Sequence, residues 1–153
     1  MKLQISSRLA IFALLELAAH PDRQYSVAEI GQKYQISSHH LAKVMHVLGR
    51  AGHARSVRGA GGGYQFSGNV RRTTLLDIIE LFEELGSNEV DPGETTDEGR
   101  ALREVLGEID EIARATLGSI TIATMLKLVD RRRGDNQRAF RRARTPAARK
   151  AGQ

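Results

Sequence analysis

Apolar residues recur along this chain at two different periods, and the places where the period changes divide it. Leu9, Phe12, Ala13 and Leu17 follow helical spacing, with Ile11, Leu14 and Leu15 widening the face. They predict a helix capped by Ser6 or Ser7, running to about Ala19 and stopped by His20-Pro21. An apolar face this wide predicts burial on much of the helix surface. Ser26-Val27-Ala28-Glu29 has the form of a capping box and opens a short helix to about Tyr34. Gln35-Ile36-Ser37 makes a tight turn, after which Ser37 or Ser38 caps a third helix through about Ala51. Leu41, Val44, Met45 and Leu48 form its inward stripe at i, i+3, i+4, i+7. Ser38, His39, His40, Lys43, His46 and Arg50 point outward, and no acidic residue occurs between Ser37 and Arg72. Two helices joined in this way form a helix–turn–helix pattern, and the polar, basic face of the second suits a DNA major groove. Taken alone, such a face is also what an ordinary solvated helix presents.

Beyond Gly52 the period becomes two. Ser56, Val57 and Arg58 on one side and Tyr64, Gln65 and Phe66 on the other suit two short strands around the tip Gly59-Ala60-Gly61-Gly62-Gly63. A basic, glycine-rich hairpin directly after a helix–turn–helix reads as the wing of a winged-helix DNA-binding domain. It shifts the reading of the third helix from solvated surface to recognition helix. Arg55 and Arg58 supply charge for phosphates or a minor groove.

Thr73 or Thr74 caps a predicted fourth helix over Leu75 to Leu85, with Leu75, Ile78, Ile79 and Phe82 inward. Residues 86–97 form an acidic loop. A long helix is expected from about Glu98 to Leu117, where Leu102, Val105, Leu106, Ile109, Ile112, Ala113 and Leu117 make one apolar seam between charged faces. A seam of this kind is expected to pair with its copy in a second subunit, the alternative being packing onto its own domain. Thr121 caps a last short helix through about Val129, with Ile122, Met125, Leu126 and Val129 inward. After Asp130 the apolar period is lost, and 131–153 reads as a disordered basic tail, strengthening phosphate binding, solubilising the chain or contacting its acidic middle. The fold class expected is mainly α with a small β wing. It comprises a winged helix–turn–helix domain (1–85), an acidic loop (86–97), a dimerisation helix with a short final helix (98–130) and the tail.

Charge sharpens this division. Over 153 residues the net charge is +5. Residues 1–75 carry ten Lys/Arg against three Asp/Glu, a net of +7. Residues 76–130 carry four against fourteen, a net of −10, and residues 131–153 nine against one, a net of +8. A basic head is the electrostatic footprint of a nucleic-acid binder. Cysteine is absent, which excludes disulfides, thiolate chemistry and cysteine-ligated zinc or iron–sulfur sites. The run Leu9–Leu15 is too short to span a membrane and is followed by Glu16. With Lys2, Arg8 and Ala18-Ala19 it mimics a secretory signal only superficially, so a cytoplasmic protein is expected.

The run of motifs resembles one family. Ile36-Ser37, His40-Leu41-Ala42-Lys43-Val44, Leu48-Gly49-Arg50-Ala51-Gly52 and the wing Ser56 to Tyr64 are similar to the IscR/NsrR/CymR (Rrf-two) family of bacterial winged-helix regulators. Leu75-Leu76-Asp77-Ile78-Ile79 and Ser119-Ile120-Thr121-Ile122-Ala123 match its later helices, so the resemblance covers about residues 1–130. It implies a homodimeric transcriptional regulator, a repressor, on a palindromic operator of double-stranded DNA. Ser37, Ser38, His39, His40 and Lys43 would lie in the major groove, and Arg58, Gly59 and Ala60 in the flanking minor groove. His40 through Val44 is most like the NsrR branch. Ala42 stands where IscR-like proteins place a glutamate that reads cytosine, which implies an A·T-rich site. Many family members bind an iron–sulfur cluster through three cysteines in the loop before the long helix. Here that loop has none, and Arg8 stands where some members place a non-cysteine ligand. No cofactor is therefore expected, and the signal would come from a partner protein, as in CymR-like members, or from a small non-cluster ligand.

Other constellations are weaker. His39 and His46 lie seven apart on one helix face with Lys43 between them, conceivable metal or haem ligands but better read as surface or DNA contacts. Gly59–Gly63 lacks the Lys-Ser/Thr of a nucleotide loop and has Tyr64 where a dinucleotide fingerprint needs glycine. Glu80, Glu83, Glu84, Glu89, Asp91 and Glu94 read as a solvated acidic face before a cation site. No nucleophile–base–orienter set points to an enzyme.

Overall fold

The first helix, α1 (Ile5–Ala19), is apolar on nearly every side, and the rest of the head is built around it. In a computed structural model describing residues 2–86 and 92–144, Leu9, Ala10, Ala13, Leu14 and Leu17 are buried. Phe12 stacks on Tyr34 at 5.2 Å between centroids and 15° between planes. Ser6 and Ser7 lie inside this helix and do not cap it: Gln4 is the N-cap and makes no side-chain cap bond. The carboxylate of Glu83, far along the chain, accepts from the Gln4 N–H (3.1 Å) and from the hydroxyl of buried Ser7. A remote acid thus does what the local sequence does not, satisfying orphan donors at a helix start.

Two further helices follow, α2 (Val27–Tyr34) packed on α3 (Ser38–Arg50), and α3 in turn packed on α1. Ser26 and Glu29 form a reciprocal capping box on α2. The strands β1 (Ala54–Val57) and β2 (Gly63–Phe66) pair antiparallel, Ala54 opposite Phe66 and Val57 opposite Gly63. α4 is only Leu75–Ile79, shorter than the expected run to Leu85. Beyond it Phe82 and Glu83 both donate to the carbonyl of Ile79, so the chain tightens and turns. These elements form the head, whose core joins α1, α3 and α4.

A short 3-10 turn, Pro92–Thr95, precedes α5 (Asp97–Ser119), whose N-cap Thr96 accepts from the Gly99 N–H at 3.1 Å. Of the acidic loop at 86–97, residues 87–91 lie outside the described residues. The chain then returns to the head. Leu75 N–H donates to Ile120 O (2.9 Å), Ile122 N–H to Thr73 O (2.9 Å) and Ala123 N–H to Val70 O (2.8 Å). Ile122 is fully buried there, and α6 starts from this anchor.

α6 runs Ile122–Arg144, well past the expected end at Val129. The sequence signal for a disordered tail from 131 was the loss of an apolar period. Arg, Gln and Ala nevertheless favour helix without one, and Asp130 and Arg133 sit one turn apart at 3.9 Å. Residues 145–153 lie outside the described residues.

Candidate nucleic-acid interface

The turn between α2 and α3 is fixed by backbone packing. Gln35 adopts left-handed φ (55°), and Ile36 N–H donates to Gly31 O at 2.8 Å. A Cβ on buried Gly31 would stand 2.9 Å from Ile36 O, so glycine is what lets the two helices close. The turn delivers α3 with Leu41, Val44, Met45 and Leu48 in the core. Ser38, His39, Ala42, Lys43, His46 and Arg50 are left exposed on one continuous face. Ser37, the N-cap, makes no side-chain cap bond.

His40 departs from the outward set. It is half-buried, and its Nε2 lies 3.1 Å from the Ser6 hydroxyl on α1. Its place is behind the face, bracing the start of α3 against α1. Since Ser7 and Gln4 bond Glu83, a chain of polar contacts links the segment after α4, the start of α1 and the start of α3. Ser6 and Glu83 carry no sequence signal for this, because the pairs lie 34 and 76 or more residues apart.

The wing is bound into the head by a third extended segment. Tyr25 and Tyr64 exchange backbone bonds of 2.9 and 2.8 Å. A Cβ on Gly63 would lie 2.4 Å from Tyr25 O, so only glycine permits this approach. Gly59 and Gly61 turn the tip at positive φ. Arg58, Gly59 and Ala60 are exposed at that tip, just beyond β1 rather than within it. Arg55 is held in place: its guanidinium donates to Gln65 Oε1 at 2.7 and 3.2 Å, and Gln65 donates to Pro21 O at 2.6 Å.

Between α3 and the wing lies a groove of about 340 Å³ lined in part by His46, Arg50, Arg55 and Ser56. Sequence pattern placed these residues on separate elements and did not bring them together. The result is a basic concave strip joining recognition helix to wing, a surface complementary to a phosphate backbone.

Away from this face, α5 leaves Leu102, Val105, Leu106, Ile109 and Ile112 51–67% exposed. The predicted seam is not uniform. Ala113 is half-buried, and Leu117, at 8% exposure, belongs to the head core, because the C-terminal part of α5 packs on α4. Arg114 fixes that junction by pairing with Glu80 and donating to Leu85 O at 3.3 Å. No helix among the described residues is long and apolar enough to cross a membrane.

A family model described as Rrf2, iron-dependent transcriptional regulator, matches residues 3–128. BadM of Rhodopseudomonas palustris, named as an HTH-type transcriptional regulator, is 50% identical over 139 residues, covering 90% of this chain and 89% of its own. The structure is similar to that of CymR, the global cysteine regulator of B. subtilis, with TM-score 0.71, 29% identity and coverage of 84% and 98%. It is also similar to T. potens IscR, with TM-score 0.69, 27% identity and coverage of 84% and 88%. The iron of the family's description finds no matching donor set among the described residues. The chain has no cysteine, and among the described residues no three His, Asp or Glu side chains converge as metal ligands. Recognition helix, wing and these matches agree: the chain belongs to the Rrf2 family of winged-helix, DNA-binding transcriptional regulators.

Proposed function

We propose that the chain acts in the cytoplasm as a homodimeric repressor of a palindromic operator. The observation that carries this reading is the exposed apolar stripe of α5, five large side chains in line on a helix whose other faces are charged. Its residues have the spacing of a helix–helix seam, and a two-fold pairing of α5 with its copy would remove them from water together. Two heads on one dimer axis then address two half-sites about one helical turn or a little more apart.

Within each half-site, Ser37, Ser38, His39 and Lys43 enter the major groove, with Lys43 donating to guanine or phosphate. Arg58, carried by Gly59 and Ala60, enters the adjoining minor groove. His40 acts from behind, by holding α3. Exposed Ala42 offers no acceptor for cytosine, which supports an A·T-rich site. A dimer occupying this length of promoter excludes polymerase, which makes repression its direct consequence. The absence of cysteine favours a signal other than a cysteine-ligated cluster, and the cleft described below favours a small ligand.

The test is selection of bound duplexes from random DNA, together with light scattering of the free chain. A two-chain mass and an enriched palindrome are expected. A one-chain mass at micromolar concentration with a single enriched half-site would overturn the dimeric reading.

A further inference from the structure

A cleft of about 490 Å³ opens between α1, the end of α2 and α6. This is the size of a small-molecule site. Phe12, Leu15, Leu126 and Val129 contribute apolar walls, and the stacked Phe12–Tyr34 pair supplies a flat aromatic side. Three charged groups line it, Glu16, Asp130 and Arg133, and they differ in what they have left to offer. Glu16 is 12% exposed, paired with Lys33, and accepts from the Tyr34 hydroxyl at 3.2 Å. Burial alone would raise its carboxyl; the Lys33 bond and charge outweigh that and hold it below its ordinary value. Tyr34 is pushed up to about 12, by burial first and the Glu16 charge second, so it remains a neutral donor committed to Glu16. Arg133 and Asp130 on α6 both line the cleft and lie 3.9 Å apart, beyond hydrogen-bond range, so the guanidinium donors are not spent on that carboxylate. A guanidinium presents five donors in a planar fork that fits a carboxylate or sulfonate.

We propose that this cleft binds a small organic anion with a flat apolar body, its charge on Arg133 and its ring against Phe12 and Tyr34, and that this ligand is the effector. The effector role rests on the reading of the chain as a DNA-binding regulator; the binding does not. The position suits the role. α6 is anchored to the head at Ile122 and Ala123 and continues from α5 through the turn at Ile120. α1 braces the recognition helix through Ser6 and His40. A ligand wedged between α1 and α6 therefore acts on the angle between head and dimer arm.

The experiment is a fluorescence titration of the full chain with 1-anilinonaphthalene-8-sulfonate, in a protein with no tryptophan to interfere. N-phenyl-1-naphthylamine, the same rings without the sulfonate, is the neutral comparison. Saturable binding of one sulfonate probe per chain is expected, about tenfold weaker in Arg133→Gln, as loss of a charge-assisted bond implies. The neutral probe should bind the parent and Arg133→Gln alike. Val129→Phe, which fills the cleft, should lose both probes. Unchanged sulfonate affinity in Arg133→Gln or in Val129→Phe overturns the site, since binding then lies elsewhere, for instance on the α5 stripe or where a second copy seats. The effector role is read separately, as the shift in operator affinity with probe bound. Saturated probe that leaves operator affinity within about twofold overturns that role while leaving the site. A ligand-free chain that binds no operator overturns the regulatory reading and the effector role with it, and the probe data then stand on their own.

Discussion

In the head, α1 is apolar on almost every side, and most of that surface finds a partner: Leu9, Ala13, Leu14 and Leu17 all disappear into one core with α3 and α4, while Phe12 and Leu15 wall the cleft. In the arm, α5 carries a single narrow stripe, and from Leu102 to Ile112 that stripe faces water. The helix with the greater apolar surface is thus largely covered inside its own chain, and the stripe of the other is not. What decides is geometry: α1 packs against α3, α4 and α6, whereas among the described residues α5 meets the head through its C-terminal half, at Asp110, Arg114 and Leu117. The head core is closed by Leu117 and Ile122 from the later helices, while the α5 stripe from Leu102 to Ile112 has no cover among the described residues.

The largest effects should come from breaking each region on its own terms. Leu48→Ala removes a fully buried side chain from the head and should destabilise it by about 2–5 kcal/mol, read as a lower urea midpoint. Ile109→Glu places a charge in the exposed stripe; in a two-fold pair it meets its own copy. The head should melt much as before, the dimer should dissociate on light scattering, and operator affinity should fall about 100-fold with the loss of bivalent binding. A two-chain mass in Ile109→Glu would show that α5 is not the seam.

Next come substitutions on the DNA face. Arg58→Ala should weaken specific binding about tenfold, with a shallower dependence of affinity on salt. Lys43→Ala should alter the preferred base at one position of each half-site, a discrimination worth about 1–3 kcal/mol for a good base contact. Unchanged affinity and preference in both variants would remove these residues from the interface.

His40 separates contact from support. If it only braces α3 through Ser6, His40→Gln, which can keep that bond, should bind operator within about threefold of the parent, and His40→Ala should lose more. Equal losses in both, confined to one base pair, would put His40 back in the groove. This is also where the sequence was least able to speak. The helix–turn–helix, the capping box at Ser26 and the wing are local, written in spacings of two, three and four residues, and each was readable. The bracing of α3, the Glu83 cap on α1 and the Arg55–Gln65–Pro21 clamp all join residues distant along the chain. No period records them. The end of α6 was missed for a different reason: its basic continuation holds a helix by propensity and not by an apolar face.

The smallest predicted effect probes the junction of recognition helix and wing. His53 is half-buried there, its N–H on Leu48 O and its carbonyl receiving Ser67 N–H. Burial lowers its pKa from 6.5, with the charge of Asp77 pulling weakly the other way. A histidine depressed in this way is held neutral by the fold and must be charged at the expense of stability. The stability it contributes is therefore fully present above pH 6.5 and is lost as the pH falls through its lowered value. Urea midpoints taken at pH 7.5 and at progressively more acid values should fall more steeply in the parent than in His53→Gln, which cannot titrate. Equal slopes would mean that His53 accepts its proton without cost. The junction that sets the wing against α3 would then be wetter and looser than the packing around Gly68 and Phe66 makes it.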